Sequence, residues 1–123
     1  MEEKNQSFSE LEVWKKARLL KNELKELADR FPPEEKFRLT DQLIRSSRSI
    51  NANISEGHGR FTYKDQIHFC IQARGSLSET HSHLIDAIDC KYISQEQLNY
   101  FRLMIDEVGR LLNGYITFLR KNL

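Results

Sequence analysis

Four histidines (His58, His68, His81, His83), the cysteines Cys70 and Cys90, two adjacent carboxylate pairs and a set of arginines are the groups that could do chemistry in this chain. His81 and His83 are two residues apart, so on a helix they point roughly 200° away from each other and cannot share a metal. Carboxylate-bridged helix bundles bind metal through Glu-x-x-His. Here Ser78 and Thr80 stand at that spacing, and Glu79 with His83, four apart, could ligate only weakly. Neither a Gly-x-Ser-x-Gly elbow nor a phosphate loop is present. Cys70 lies two residues from His68, on a different helical face, which leaves the thiol without a base. Glu34-Glu35 and Asp106-Glu107 fall on expected surface positions, without the burial or the charged neighbour that makes a carboxylate an acid or a base. The expectation is a protein that is not an enzyme and uses no metal, no cofactor and no small-molecule substrate.

The cations are the remaining candidates. The chain carries 19 basic and 18 acidic residues, a formal charge of +1, which excludes a chain that is electrostatically basic as a whole. Between Lys36 and Lys64, however, six basic residues face only Asp41 and Glu56, a local +4, whereas the chain from Asp65 onward is −1. Arg45 and Arg48, at i and i+3, lie side by side on a helix. Arg38 precedes them, and Arg60 and Lys64 flank a glycine-rich turn. A guanidinium fork matches phosphate with two parallel hydrogen bonds, and the free N–H groups where the next helix starts would add to an anion site. Arg38, Arg45, Arg48, Arg60 and Lys64 are therefore the expected nucleic-acid-binding residues. Phe61 and Tyr63 lie close by, but no array of base-stacking aromatics accompanies them. The alternative is an ordinary solvated helix face.

The elements that must position these residues are helices. A chain of 123 residues has the length of one domain, read here as a single unit over residues 1–123. Five Gly and two Pro argue against turn-rich all-β classes. Apolar residues recur at three- and four-residue steps in four segments, predicted near 9–31, 41–56, 62–90 and 95–121. Phe31-Pro32-Pro33 closes the first, and Thr40 is the expected N-cap of the second. Gly57-His58-Gly59 stops the second through a left-handed glycine. Thr62, with Asp65, caps the third, and Ser94 with Gln97 forms a capping box on the fourth. The third helix carries a heptad stripe, Tyr63, Ile67, Cys70, Arg74, Leu77, His81, Leu84 and Ile88, with a second stripe of Phe69, Ala73, Ser76, Thr80 and Ala87 beside it. The fourth carries Leu98, Phe101, Ile105, Val108, Leu112, Tyr115 and Leu119, widened by a parallel row of Met104, Leu111 and Phe118.

One core needs an apolar arc of only about 100°, so the wider arc of the fourth helix implies burial on two sides. Together with the Gly75-Ser76 notch in the third helix, that row is the expected oligomer interface. The predicted architecture is all-α, an antiparallel up-down-up-down four-helix bundle assembling as a homo-oligomer. No apolar run approaches the roughly 18 residues that span a bilayer, and the first ten residues lack the apolar core of a leader peptide. Cys70 and Cys90, about 30 Å apart on one helix, cannot pair. A cytoplasmic protein with no membrane partner is expected.

The phrases Leu11-Glu12-Val13-Trp14-Lys15-Lys16-Ala17, Phe31-Pro32-Pro33-Glu34-Glu35, Gln42-Leu43-Ile44-Arg45-Ser46-Ser47, Ser49 through Gly57 (SINANISEG) and Ala73-Arg74-Gly75-Ser76-Leu77-Ser78-Glu79 occur in that order. Together they resemble the bacterial four-helix-bundle family of proteins encoded in intervening sequences of the 23S ribosomal RNA gene, over roughly residues 8 to 120. The resemblance implies a ring-shaped homopentamer. It also implies a distant similarity to the accessory protein of diversity-generating retroelements, a basic pentamer that works with a reverse transcriptase and nucleic acid; hence RNA or a polymerase-type protein is the expected partner. Those accessory proteins are strongly basic, whereas this chain is near neutral. Many members of the family carry proline where this chain has Asn51, which implies a straighter second helix here. Asn53, Glu56 and Gly57 match the family motif, and structural roles are expected for them: Asn53 hydrogen-bonding between helices and Glu56 pairing with Arg60. A module that organises a protein partner without binding nucleic acid is the other reading.

Overall fold

The three- and four-residue spacing of Leu, Ile and Ala closes into four helices in the structure, a computed structural model that describes residues 7–123. Residues 1–6, part of the stretch read above for a leader peptide, lie outside the described residues. Helix α1 runs Glu12–Ala28, α2 Leu39–His58, α3 Tyr63–Asp89 and α4 Gln95–Lys121, with short 3-10 turns at Phe8–Glu10 and Pro33–Glu35. Among the described residues there is no strand, and no helix is long and apolar enough to cross a membrane. Both α1 and α3 pack on α2 and on α4. Between them lie Leu20, Leu24, Leu43, Ile50, Ile54, Leu84, Leu112, Ile116 and Leu119, all fully buried. Each such side chain contributes about 1.5–3 kcal/mol relative to exposure.

The fourth helix has the predicted limits, and its capping box is complete: Gln97 N–H donates to Ser94 Oγ and Ser94 N–H to Gln97 Oε1. Thr62 caps α3 as expected, its Oγ1 accepting from Asp65 N–H at 3.1 Å. The other ends differ. Helix α1 stops at Ala28, short of the prolines, and Phe31 folds back into the core against Tyr92, ring centroids 5.4 Å apart. Thr40 is not the cap of α2, which begins one residue earlier. Leu39 N–H donates instead to the Glu35 carboxylate at 3.1 Å, and the Thr40 hydroxyl donates to the Ala28 carbonyl.

Nor does a left-handed glycine end α2. Helix α2 continues through Gly57 to His58, Gly59 is right-handed, and no described glycine has positive φ. Gly57 is required by proximity. A Cβ placed there would stand 2.9 Å from Phe69 Cβ and 3.2 Å from the Gln66 carbonyl oxygen, so α3 approaches α2 more closely than any side chain would permit. Gly75, by contrast, is exposed, and a Cβ there would meet nothing within 4 Å. Within the chain it is no helix-contact notch.

The buried stripe of α3 is Ile67, Cys70, Ala73, Leu77, Thr80, Leu84 and Ala87. Arg74 and Tyr63 are exposed and His81 is half-buried, so the heptad extended from Tyr63 through Arg74 and His81 is corrected. A straight helix of 3.6 residues per turn drifts out of a strict seven-residue register, and small Ala73, Thr80 and Ala87 allow close approach on the drifted face. The hydroxyl of Thr80 is satisfied there: it donates to the Ser76 carbonyl at 2.8 Å and stands 2.9 Å from Ser46 Oγ. On α4, Ile116 is buried and Tyr115 half-buried, its phenol pushed up to about 12 by burial.

Cys70 is buried, and burial pushes its thiol up to about 11, whereas Cys90 is exposed; both are free. Because the thiolate is the reactive form, a thiol-specific chromogenic reagent should titrate one cysteine in the native protein and two in denaturant. Two fast-reacting thiols under native conditions would show that α3 opens around Cys70.

Candidate nucleic-acid interface

Helix α2 has one apolar side and one polar side. Leu43, Ser47, Ile50 and Ile54 face the core, with Ser46 and Asn51 buried beside them. At 100° per residue, Arg38, Arg45 and Arg48 fall within about 80° of one another on the opposite side, and all three are exposed. The burial of Leu43 and Ile50 thus forces the arginines outward. From Arg38 to Arg48 the cationic face runs about 15 Å along the helix axis. Among the described residues, none of Arg38, Arg45, Arg48 or Lys64 forms an ion pair, although Asp41 stands on the same helix face four residues before Arg45 and Glu35 lies near enough to Arg38 to feel its charge.

Arg60 differs from the other four. Its guanidinium donates to Glu56 at 2.8 Å, the pair anticipated from the sequence, and lies over the Phe69 ring at 4.7 Å from the centroid. The backbone of the turn is also held, because buried Gln66 donates from Nε2 to the Arg60 carbonyl at 3.0 Å. Lys64 is exposed in the first turn of α3, where Asp65 supplies a negative charge and its N–H is already bonded to Thr62. The anion site expected at the start of α3 is therefore partly occupied by the chain itself, and the free cations are concentrated on α2.

The polar residues of the Ser49–Gly57 stretch have hydrogen-bond partners within the chain, with one exchange between the two asparagines. Asn53 does not bridge helices: its Nδ2 donates to the Ser49 carbonyl and Oγ within α2, at 2.9 and 3.1 Å. Asn51 bridges instead, donating to the Trp14 carbonyl at 3.1 Å, while Trp14 Nε1 donates to Ser55 Oγ at 3.0 Å. Ser76 donates to Ser49 at 2.9 Å, tying α3 to α2. On the helical wheel Asn51 falls just beside the apolar stripe, and that offset was the signal available for it.

The oligomer residues expected on α4 are graded in exposure. Met104 and Leu111 are half-buried against the core and Phe118 is 54% exposed, stacked on Tyr115. His83 contacts Glu79 at 3.1 Å, and among the described residues no group of three His, Cys, Asp or Glu side chains is placed to hold a metal.

Glu35 departs from the surface role expected of it. Tyr92 donates to its carboxylate at 2.7 Å, tying the α1–α2 linker to the α3–α4 turn. That bond, followed by the one from Leu39 N–H, holds the Glu35 carboxyl below its ordinary value of 4.5, and the same bond pushes the Tyr92 phenol up to about 12. A carboxylate with a lowered native pKa contributes stability above its unfolded pKa and loses it as pH falls through the native one. The phenol contributes below its ordinary value of 10 and loses the contribution on approach to about 12. Tyr92→Phe should therefore reduce stability near neutral pH and show a smaller further loss than the parent between about pH 5 and about pH 3. Urea midpoints at each pH measure this, and parallel acid limbs for the two proteins would contradict it.

A four-helix protein with a cationic outer helix face is the class defined by this geometry. The family model for the 23S rRNA-intervening sequence protein matches residues 9–114, and the chain belongs to that family. It is also similar to the crystal structure, at 1.70 Å resolution, of a Bacteroides thetaiotaomicron protein of unknown function from the S23 ribosomal protein family. The TM-score is 0.79 at 28% identity, covering 85% of this chain and 95% of that one. No curated protein matches this chain.

Proposed function

We propose that this chain is a non-enzymatic, self-associating scaffold that holds RNA on the outer face of α2. The observation that carries the reading is the exposed Arg38, Arg45 and Arg48 set, which has no carboxylate partner among the described residues. Membership of a family named for 23S rRNA intervening sequences supports RNA as the polyanion. A polymerase-type protein partner and a cytoplasmic setting belong to the same reading.

In this reading the single domain is an antiparallel up-down-up-down bundle. Cross-helix contacts support that topology, because their order reverses in each pair. On α1 and α4, Lys16 meets Glu107 while Glu23 meets Tyr100. On α2 and α3, Ser46 meets Thr80 while Ser49 meets Ser76. Self-association is supported by apolar side chains left exposed on α1 and α4, chiefly Leu19, Leu103 and Phe118, and a pentamer is the assembly we propose. Repeating the cationic face once per subunit raises the avidity of an individually weak site.

Exposed Leu103 and Phe118, with the near-neutral charge, favour the second reading, a ring that organises a protein partner and touches no nucleic acid. Two measurements test the proposal. Light scattering after size exclusion should give a multiple of the 14.6 kDa chain mass, and a monomer at micromolar concentration refutes the assembly. Titration of labelled RNA should show binding at about 50 mM salt, with a log K against log salt slope of about −2.1 to −2.7 for three phosphate contacts on α2, steepening toward about −4.5 if Arg60 and Lys64 also engage. No measurable affinity at that salt ends the RNA reading and leaves the protein-organising one.

A further inference from the structure

Two phenylalanines are left in solvent at opposite ends of α2. Phe61, in the α2–α3 turn, is 99% exposed, and Phe37, just before α2, is 83% exposed. Burying such a ring is normally favourable, and the exposed apolar residues of α1 and α4 have no comparable setting. Each phenylalanine is bracketed by cations: Lys36 and Arg38 around Phe37, Arg60 and Lys64 around Phe61. The Lys36 ammonium lies 5.3 Å from the Phe37 ring centroid, and Arg60 is drawn onto the neighbouring Phe69 ring. Phe61 keeps both faces free.

Between the two rings runs the 20-residue α2, about 30 Å long, with its arginine face over the half nearer Phe37 and Arg60 beside Phe61. A cationic track bearing an open aromatic at each end is the arrangement by which proteins hold single strands: the track follows the phosphates and each ring offers a face to a base. In a duplex the bases are stacked on one another and offer these rings nothing. We infer that the RNA held by α2 is unpaired, and that Phe37 and Phe61 stack on its bases at the two ends of α2. The inference rests on the RNA reading above.

Complementarity of charge favours this occupant over a second copy of the chain, whose own α2 face would bring like charges together. The test uses the full chain, a labelled single-stranded RNA of about 12 nucleotides and the duplex of that RNA with its complement. The parent should prefer the single strand. Phe37→Ser with Phe61→Ser should weaken single-strand binding by about tenfold per ring while duplex binding stays unchanged, and Phe37→Tyr with Phe61→Tyr should restore it. Because both rings are exposed, circular dichroism of the variants should match the parent. Equal affinity of the parent for single strand and duplex, or single-strand affinity indifferent to loss of the rings, overturns the inference while leaving RNA binding intact. Dissociation of the assembly by the serine variants assigns the rings to a contact between copies. Sedimentation with anionic phosphatidylserine vesicles that depends on the rings, with RNA affinity unchanged, assigns them to a membrane surface. Either result overturns the inference. Absence of any RNA binding by the parent removes it together with the reading it rests on.

Discussion

Replacing Gly57 by valine should destabilise the protein by about 3 kcal/mol, and by alanine by about 1–2 kcal/mol, through overpacking at the α2–α3 contact. Two effects compete in the alanine variant. Removing a glycine from a helix interior favours folding by about 1 kcal/mol. Against it stands a Cβ 2.9 Å from Phe69 Cβ and 3.2 Å from the Gln66 carbonyl oxygen. Neither neighbour is the flexible end of a side chain, so α2 and α3 must move apart. That movement strains the Ser46–Thr80 and Ser49–Ser76 contacts and the Gln66 bond to the Arg60 carbonyl. The clash therefore exceeds the gain in propensity, and valine adds two methyl groups to it.

Gly75→Ala is the matched control. With nothing within 4 Å of its Cβ, the same propensity change should stabilise the chain by about 0.5–1 kcal/mol. Urea unfolding followed by circular dichroism measures both. A neutral or stabilising Gly57→Ala would show that the two helices separate at little cost. If Gly75 lies between subunits, as the sequence leads one to expect, Gly75→Ala should also loosen the assembly at low protein concentration, where light scattering reads the mass.

Arg45→Ala with Arg48→Ala should cut the salt dependence of RNA binding by about 1.4 to 1.8 in log–log slope, since each phosphate contact accounts for about 0.7–0.9. Neither side chain touches the core of its own chain: Leu43, Ser47 and Ile50 hold α2 in place from the other side. Helix content should thus be unchanged. Lys substitutions at both positions should keep most of the slope, which depends on charge, but lose affinity where the guanidinium fork makes two parallel bonds. The same double substitution separates a binding face from a subunit interface. Loss of RNA affinity with the assembly kept supports the proposed site, whereas loss of the assembly places the arginines between copies. An unchanged slope excludes them from phosphate contact.

Helix existence was legible because it follows from local rules. Apolar residues repeat at 3.6-residue spacing, Ser94 and Thr62 offer their oxygens to N–H groups three residues on, and Ser94–Gln97 close a box whose partners are neighbours in the chain. Since core residues and solvent residues divide a helix between them, the outward direction of Arg45 and Arg48 followed from Leu43 and Ile50. The motif phrases were sufficient to identify the family, which the match over residues 9–114 shows. What the local pattern left open was every feature that depends on which helix lies opposite. Two adjacent stripes ran along α3, and a few tens of degrees of rotation of α3 against α2 decided that Ala73, Thr80 and Ala87 of the second are buried while Arg74 of the first is exposed, a difference that a strict heptad cannot record. Glycine at position 57 looks like a helix stop in sequence and is instead the site where α3 presses closest, because a missing side chain permits a left-handed turn and close packing equally well. Likewise, Glu35 read as one of two surface acids until the fold brought Tyr92 from 57 residues away to donate to it. Phe37 and Phe61 carried no sign of their exposure, since an aromatic beside a turn is buried or left in solvent according to whether another element arrives to cover it, and here none does.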